Sequence, residues 1–187
     1  MVNTRRSMMA ALAGLAMTVA FGFAPLAAHA SAQSLRADGA RALTRLYASD
    51  PRARRIGARA HAILVFPSIL KGALVFGGQT GNGVLLVRGR AERFYNISAA
   101  SWGLQIGGKQ FSYALFFMND RALNYLRKSA GFSVGADPSI VVVNVGAAAN
   151  VDTTTLSQDV YAFPFGAKGL LAGISIQGSK ITPIHPS

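Results

Sequence analysis

The sequence predicts an α+β chain, in which a curved antiparallel β-sheet, barrel- or sandwich-like, carries two N-terminal helices and one central helix. Three observations carry this. Residues 33–60 show helical periodicity with a helix-start signal. From Ala62 the texture changes to short runs rich in Val, Ile, Leu and Phe, punctuated by glycine. Only one later stretch, 119–130, returns to helical spacing. Glycine inside or beside nearly every strand marks bulges, bends or close backbone approach, so the sheet is expected to curl strongly.

Taken in order, Arg5 and Arg6 precede an uncharged apolar run over 8–23, then Pro25 and Ala28-His29-Ala30. That is the order of a secretory signal peptide, residues 1–30, cleaved after Ala30. A retained anchor is the competing reading, although the run is shorter than the about 20 residues that span a bilayer. The paired arginines also loosely fit the twin-arginine export pattern. No cysteine is present, so there is neither a disulfide framework nor a lipidated N-terminal cysteine. A periplasmic or secreted protein, peripherally membrane-associated, is expected. The remaining 157 of the 187 residues suit one domain, divided into a basic amphipathic helical segment, 31–60, and a β-rich part, 61–187.

In the first helix, 33–48, Leu35, Ala42, Leu43, Leu46 and Tyr47 fall near one face, Arg36, Arg41 and Arg45 fall on others, and Gly39 is a weak point. Asp50 followed by Pro51 is an N-cap with proline at the first helical position, starting a second helix to about Ala60. Helical spacing would place Arg52, Arg55 and Arg59 on one ridge. The runs "AILVFP", "GALVFGG", "GVLLVRG", "FYNISAA", "WGLQIGG" and "FSYALFF" read as strands with tight turns, and "GGQTGNG", 77–83, as a hairpin loop between two of them. Ala122, Leu123, Leu126 and Ala130 give the central helix its buried face behind an Asn or Asp cap. Further strands are expected near 139–147, 160–163, 170–177 and 180–183.

Motifs with enzymatic spelling fail on context. Gly103, Gly108 and Lys109 fit G-x-x-x-x-G-K, but Gln110 stands where the phosphate loop needs Ser or Thr. Alternating Trp102, Leu104, Ile106 and Phe111, Tyr113, Leu115 indicate a hairpin rather than a strand-to-helix turn. Gly131-Phe132-Ser133-Val134-Gly135 spells a nucleophile elbow, with Asp152 or Asp159 and then His185 following in hydrolase order. Here a helix ends before the motif and a strand follows it, the reverse of what the elbow needs. After the leader only His61 and His185 remain, with no thiols and scattered carboxylates, so neither metal nor cofactor is expected.

What remains is basic. Nineteen Lys and Arg, two of them in the leader, stand against seven Asp and Glu, leaving a mature charge of +10 that attracts polyanions. For an exported chain those are anionic phospholipids, envelope protein or polysaccharide before nucleic acid. Arg41, Arg45, Arg52, Arg54, Arg55 and Arg59 concentrate in the helical segment, the composition of an interfacial binder. Lys71, Arg88, Arg90 and Arg93 near hairpin ends extend the candidate patch.

Four ordered phrases, "AILVFPSILKGALVFGGQTGNGVLLVR", "SWGLQIGGKQ", "FSVGADPSIVVVNVG" and "GLLAGISIQGS", resemble the SYLF family from about Arg59 to Thr182. The resemblance implies lipid binding without catalysis. Its eukaryotic members are described as phosphoinositide and membrane binders, some also binding actin, and their lipid contact is associated with a basic amphipathic N-terminal segment; its bacterial members are commonly exported. Asn144-Val145-Gly146-Ala147 replaces a Gly-Pro-x-Gly-Arg-like phrase, and Gln177 replaces an acidic residue. These departures, with the expected export, argue against actin as a partner. The leading expectation is therefore non-enzymatic binding of anionic phospholipid by Arg41, Arg45, Arg52, Arg54, Arg55, Arg59 and Lys71. A structural or protein-interaction module of the envelope is the second reading, and a serine hydrolase using Ser133 and His185 the third.

Overall fold

A computed structural model describes residues 31–73, 77–101, 109–128, 131–134, 140–143, 158–166 and 178–187. Helices α1 (Ala32–Ser49) and α2 (Pro51–Gly57) are followed by β1 (Ala62–Ala73), β2 (Gly77–Val87), β3 (Arg90–Ser101) and β4 (Lys109–Phe117). Then come α3 (Asp120–Lys128), β5 (Phe132–Val134), β6 (Ile140–Val142), β7 (Val160–Phe165) and β8 (Ser179–Ile184). The expected α+β class and its three helices are what the described residues form. The expected leader, 1–30, and the expected strand at 170–177 lie outside the described residues.

One eight-stranded sheet runs in the order β5-β8-β3-β2-β1-β4-β7-β6. Its neighbours are antiparallel except β6 and β7, which run parallel, so the all-antiparallel expectation is corrected at one flank. Continuous apolar runs such as "SIVVVNV" identify strands without stating their direction. The curl is measurable. β5 and β4 stand five places apart, roughly 24 Å on a flat sheet at about 4.8 Å per strand, yet the rings of Phe117 and Phe132 lie 6.2 Å apart. The sheet is therefore a half-barrel, bent in part by irregular pairing in β1 between Phe66 and Ile69, where Pro67 has no N–H to offer, and at Leu85/Leu86 opposite β3.

Inside the curl, Leu64, Phe66, Ile69, Tyr95, Ile97, Phe111, Tyr113, Leu115 and Phe117 pack with Leu123 and Leu126 of α3. On the outer face, Ala42 and Leu46 of α1 and Ala53 and Ile56 of α2 pack on Val65, Ala114, Phe116, Tyr161 and Phe163. Leu35, Ala42 and Leu46 follow the expected helical stripe and are buried; full burial of each leucine contributes about 2 kcal/mol. The N-terminal helices are thus docked on the sheet. Gly39, expected to weaken α1, instead lets it approach the sheet, because a Cβ there would lie 2.4 Å from Cγ1 of Val84.

Two local readings are corrected. Residues 77–83 are not a hairpin loop: they form the first half of β2, all of them paired with β3 and Gly77 to Thr80 also with β1. Their glycines admit neighbours. A Cβ on Gly83 would lie 2.5 Å from the Phe66 ring, and one on Gly81 2.5 Å from the carbonyl oxygen of Ser68. The hairpin expected around 107–108 has its first arm outside the described residues, but β4, its second arm, pairs with β1 and β7. Alternation marks a strand; it does not name the strand's partner.

Candidate functional site

β1 begins where Ala62 pairs with Val87 of β2 and Phe117 of β4. Residues 58–61, the β2–β3 turn and the start of α3 therefore meet at one end of the half-barrel. Each piece has a local cause. Asp50 caps α2, its Oδ1 accepting from the Arg52 N–H at 2.9 Å, and Pro51 sits in the first helical turn, as its sequence position implies. α2 stops at Gly57, earlier than expected, and the chain turns into β1 with the His61 N–H donating to the Phe117 carbonyl at 2.8 Å. The β2–β3 turn has only two central residues, Arg88 and Gly89, at φ of 50° and 77°, the mirror-image turn that suits the strand twist. Asn119 caps α3, its Oδ1 accepting from the Ala122 N–H at 2.9 Å.

This end is strongly cationic. Arg54, Arg55, Arg59, Arg88 and Arg90 are exposed, and none forms a salt bridge among the described residues. Three acids stand nearby, each engaged: Asp120 with His61 Nδ1 at 2.9 Å, Asp159 with Arg121, and Glu92 with Arg127 through a bidentate pair at 2.9 and 2.6 Å. The hydrogen bond from His61 and its charge, with Arg127 and Arg88 contributing, hold the Asp120 carboxyl below its ordinary value. Exposed guanidinium groups without internal counter-charges remain available to an external anion.

The seven expected binding residues are divided. Arg54, Arg55 and Arg59 are exposed on α2 and on the stretch that leads from it into β1. Arg45 is exposed on α1, with no salt bridge among the described residues, while Arg41 beside it is neutralised by Asp38 one turn away. Arg52 turns back, half-buried, to hold both oxygens of Asp50 at 3.1 and 2.8 Å. The expected Arg52–Arg55–Arg59 ridge therefore does not form, also because Arg59 lies beyond the end of α2. Lys71 stands nine residues along β1, roughly 30 Å from the cationic end at a rise of about 3.3 Å per residue; its side chain lies outside the described residues. Arg121, Arg127 and Lys128 on α3 were not anticipated. Their signal was the basic last turn of "DRALNYLRK", but facing is not written in composition.

Asp50 also sets a pH dependence. Burial pushes its carboxyl up, but the side-chain and backbone hydrogen bonds from Arg52, with the Arg52 charge, outweigh this and hold it below 3.8. A depressed folded value means that the unfolded chain binds more protons in that window. The contribution is therefore complete above about pH 4 and is lost as pH falls through the folded value. Asp50→Asn is expected to lose about 1–2 kcal/mol at pH 7 in urea unfolding, and its deficit against wild type should shrink below about pH 4.

The hydrolase reading is corrected by geometry. Ser133 is the middle residue of β5, pairing with Lys180, not the tip of a strand-to-helix turn. His185 lies five residues further along from Lys180, roughly 16 Å away at about 3.3 Å per residue, Asp159 is occupied by Asn119 and Arg121, and Asp152 lies outside the described residues. Lys109 likewise opens a strand, where a phosphate loop would need a helix. Among the described residues no three His, Cys, Asp or Glu gather as metal ligands, and no helix is long and apolar enough to cross a membrane.

Residues 98–185 match the family model described as "Ysc84: Las17-binding protein actin regulator". The match runs from the second half of β3 through β8 and includes three of the four phrases that carry the SYLF resemblance. It supports a non-enzymatic binding module. No curated protein matches the chain.

Proposed function

We propose, from the match of residues 98–185 to a family model that agrees with the SYLF resemblance, that this chain is a non-enzymatic module that attaches to anionic phospholipid surfaces by the arginine-rich end of its half-barrel. The observation that supports this is the convergence there of Arg54, Arg55, Arg59, Arg88 and Arg90, exposed and without salt bridges among the described residues. Each cation near such a surface contributes about 1 kcal/mol, so three to five engaged together give firm, salt-sensitive attachment. The leader that the sequence leads one to expect at 1–30 favours the periplasm or cell exterior as the setting, with phosphatidylglycerol and cardiolipin as the anionic lipids met there.

Vesicle co-sedimentation of residues 31–187 tests the reading. Binding is expected to rise with phosphatidylglycerol content and to fall steeply between low and high salt. Equal partitioning to neutral phosphatidylcholine vesicles at every salt concentration would reject it. The family description supports a second reading, since it names Las17 and actin as what its members bind and regulate. Co-sedimentation with filamentous actin in the absence of lipid is the outcome that would favour it.

A further inference from the structure

Among the described residues α3 is the one helix packed inside the curl, and its buried apolar face is ringed by ion pairs to neighbouring elements. Ala122, Leu123 and Leu126 face the interior, and Tyr125, half exposed, sets its ring edge-on against Phe132 at 5.6 Å. Around this apolar face lie three ion pairs to other elements. His61 ahead of β1 holds Asp120, Asp159 ahead of β7 holds Arg121, and Glu92 of β3 holds Arg127. Asp159 also accepts from Asn119 at 2.6 Å, and Arg93 donates to the Arg127 carbonyl at 3.3 Å. In two of the ion pairs one partner is largely in solvent, Asp120 at 76% and Arg121 at 81% exposed, whereas Arg127 and Glu92 are each about one-third exposed, at 30% and 36%.

We infer that α3 is a latch-held amphipathic helix, released when anionic head groups replace Glu92 and Asp159 as partners of Arg127 and Arg121, so that its apolar face enters the acyl boundary of the bilayer. The inference rests on the membrane reading above. The exposed pairs of Asp120 and Arg121 hold little net free energy, and at the stronger, two-pronged Glu92–Arg127 pair a guanidinium pairs with a phosphate as readily as with a carboxylate, through the same geometry. At the bilayer the exchange keeps each arginine paired. The face carrying Leu123, Leu126 and Tyr125 moves from one apolar medium to another, the arrangement of an interfacial helix whose cations stay at head-group level. Arg121, Arg127 and Lys128 lie on the same short helix as this face, at the same end as Arg59 and Arg88, so first contact through the arginine cluster delivers α3 to the surface.

The test compares Glu92→Gln with Asp38→Asn. Each removes one negative charge and frees one arginine, Arg127 or Arg41, but only the first loosens α3. Both are expected to bind phosphatidylglycerol vesicles more tightly than wild type, by up to about fivefold for one added net charge. Insertion, read as the surface-pressure rise when protein is added beneath a phosphatidylglycerol monolayer, is expected to increase for Glu92→Gln alone. Equal pressure rises in the two variants, with vesicle binding intact, would overturn the latch and leave the membrane reading standing. Absence of wild-type binding to phosphatidylglycerol vesicles would overturn both.

Discussion

Replacing Arg54, Arg55 and Arg59 together by glutamate is expected to reduce binding to phosphatidylglycerol vesicles by at least about a hundredfold, since about 1 kcal/mol is lost per cation before any repulsion is counted. These three are chosen because the geometry separates them from the other basic residues of the helical segment. Arg41 and Arg52 already hold Asp38 and Asp50, and reversing Arg52 would set two carboxylates against each other at a nearly buried cap. Arg54 and Arg55 do have a local role, because they stand in the last turn of α2, where cations complement the helix dipole. Their loss there costs about 0.3–1 kcal/mol of stability each. A triple glutamine variant separates the effects: it removes attraction without adding repulsion and should fall between wild type and the glutamate variant. Binding should also become nearly independent of salt as the cluster is removed. Unchanged affinity in a folded glutamate variant would mean that the cluster is not the point of attachment.

Gly83→Ala is expected to cost about 3 kcal/mol of folding stability, at the upper end of what overpacking a core produces. The added methyl would lie 2.5 Å from Cδ1 of Phe66 and 2.7 Å from the Val65 carbonyl oxygen. Phe66 is fully buried, and the carbonyl belongs to the neighbouring strand backbone, so neither can yield without moving β1. Urea unfolding should show a lower midpoint with an unchanged slope. Gly89→Asn provides the contrast. Its φ of 77° requires a residue that tolerates the left-handed region, which asparagine does, and nothing lies within 4 Å of an added Cβ. A cost under about 1 kcal/mol is expected there.

The helices were legible because their signals are local. Asp50-Pro51 announces a cap and a first turn, and Leu35, Ala42 and Leu46 repeat at a spacing only a helix can bury on one side. The strands were legible as strands, but their partners were not, since pairing joins residues as distant as Phe94 and Ile184 and alternation is identical whatever lies across the ladder. Gly77 to Gly83 misled for a physical reason: glycine in a loop supplies positive φ, whereas here Gly81 and Gly83 make room for Ile69 and Phe66, and composition cannot tell the two uses apart. The arginine-rich character was plain from the sequence, but its arrangement was not. Which guanidinium groups turn back to Asp38 and Asp50, and that Lys71 stands nine residues along β1 from its start, are facts of folding. Arg88 and Arg90 join the cluster only because a two-residue turn brings them beside the start of β1.

The strand order carries a consequence for how the chain assembles. β1, β2 and β3 are successive antiparallel neighbours and occupy the middle of the sheet, whereas its flanks are completed by distant segments, β7 against β4 and β8 against β3. Adjacent hairpins close quickly, while contacts across many tens of residues pay a larger loop entropy and form late. Until β8 arrives, β3 offers an open row of unpaired N–H and C=O groups at Phe94 to Ser98, the kind of edge on which nascent chains stick to one another. Rapid dilution at high protein concentration should therefore favour clumping over refolding, and the final six-residue strand acts as the seal that ends the hazard.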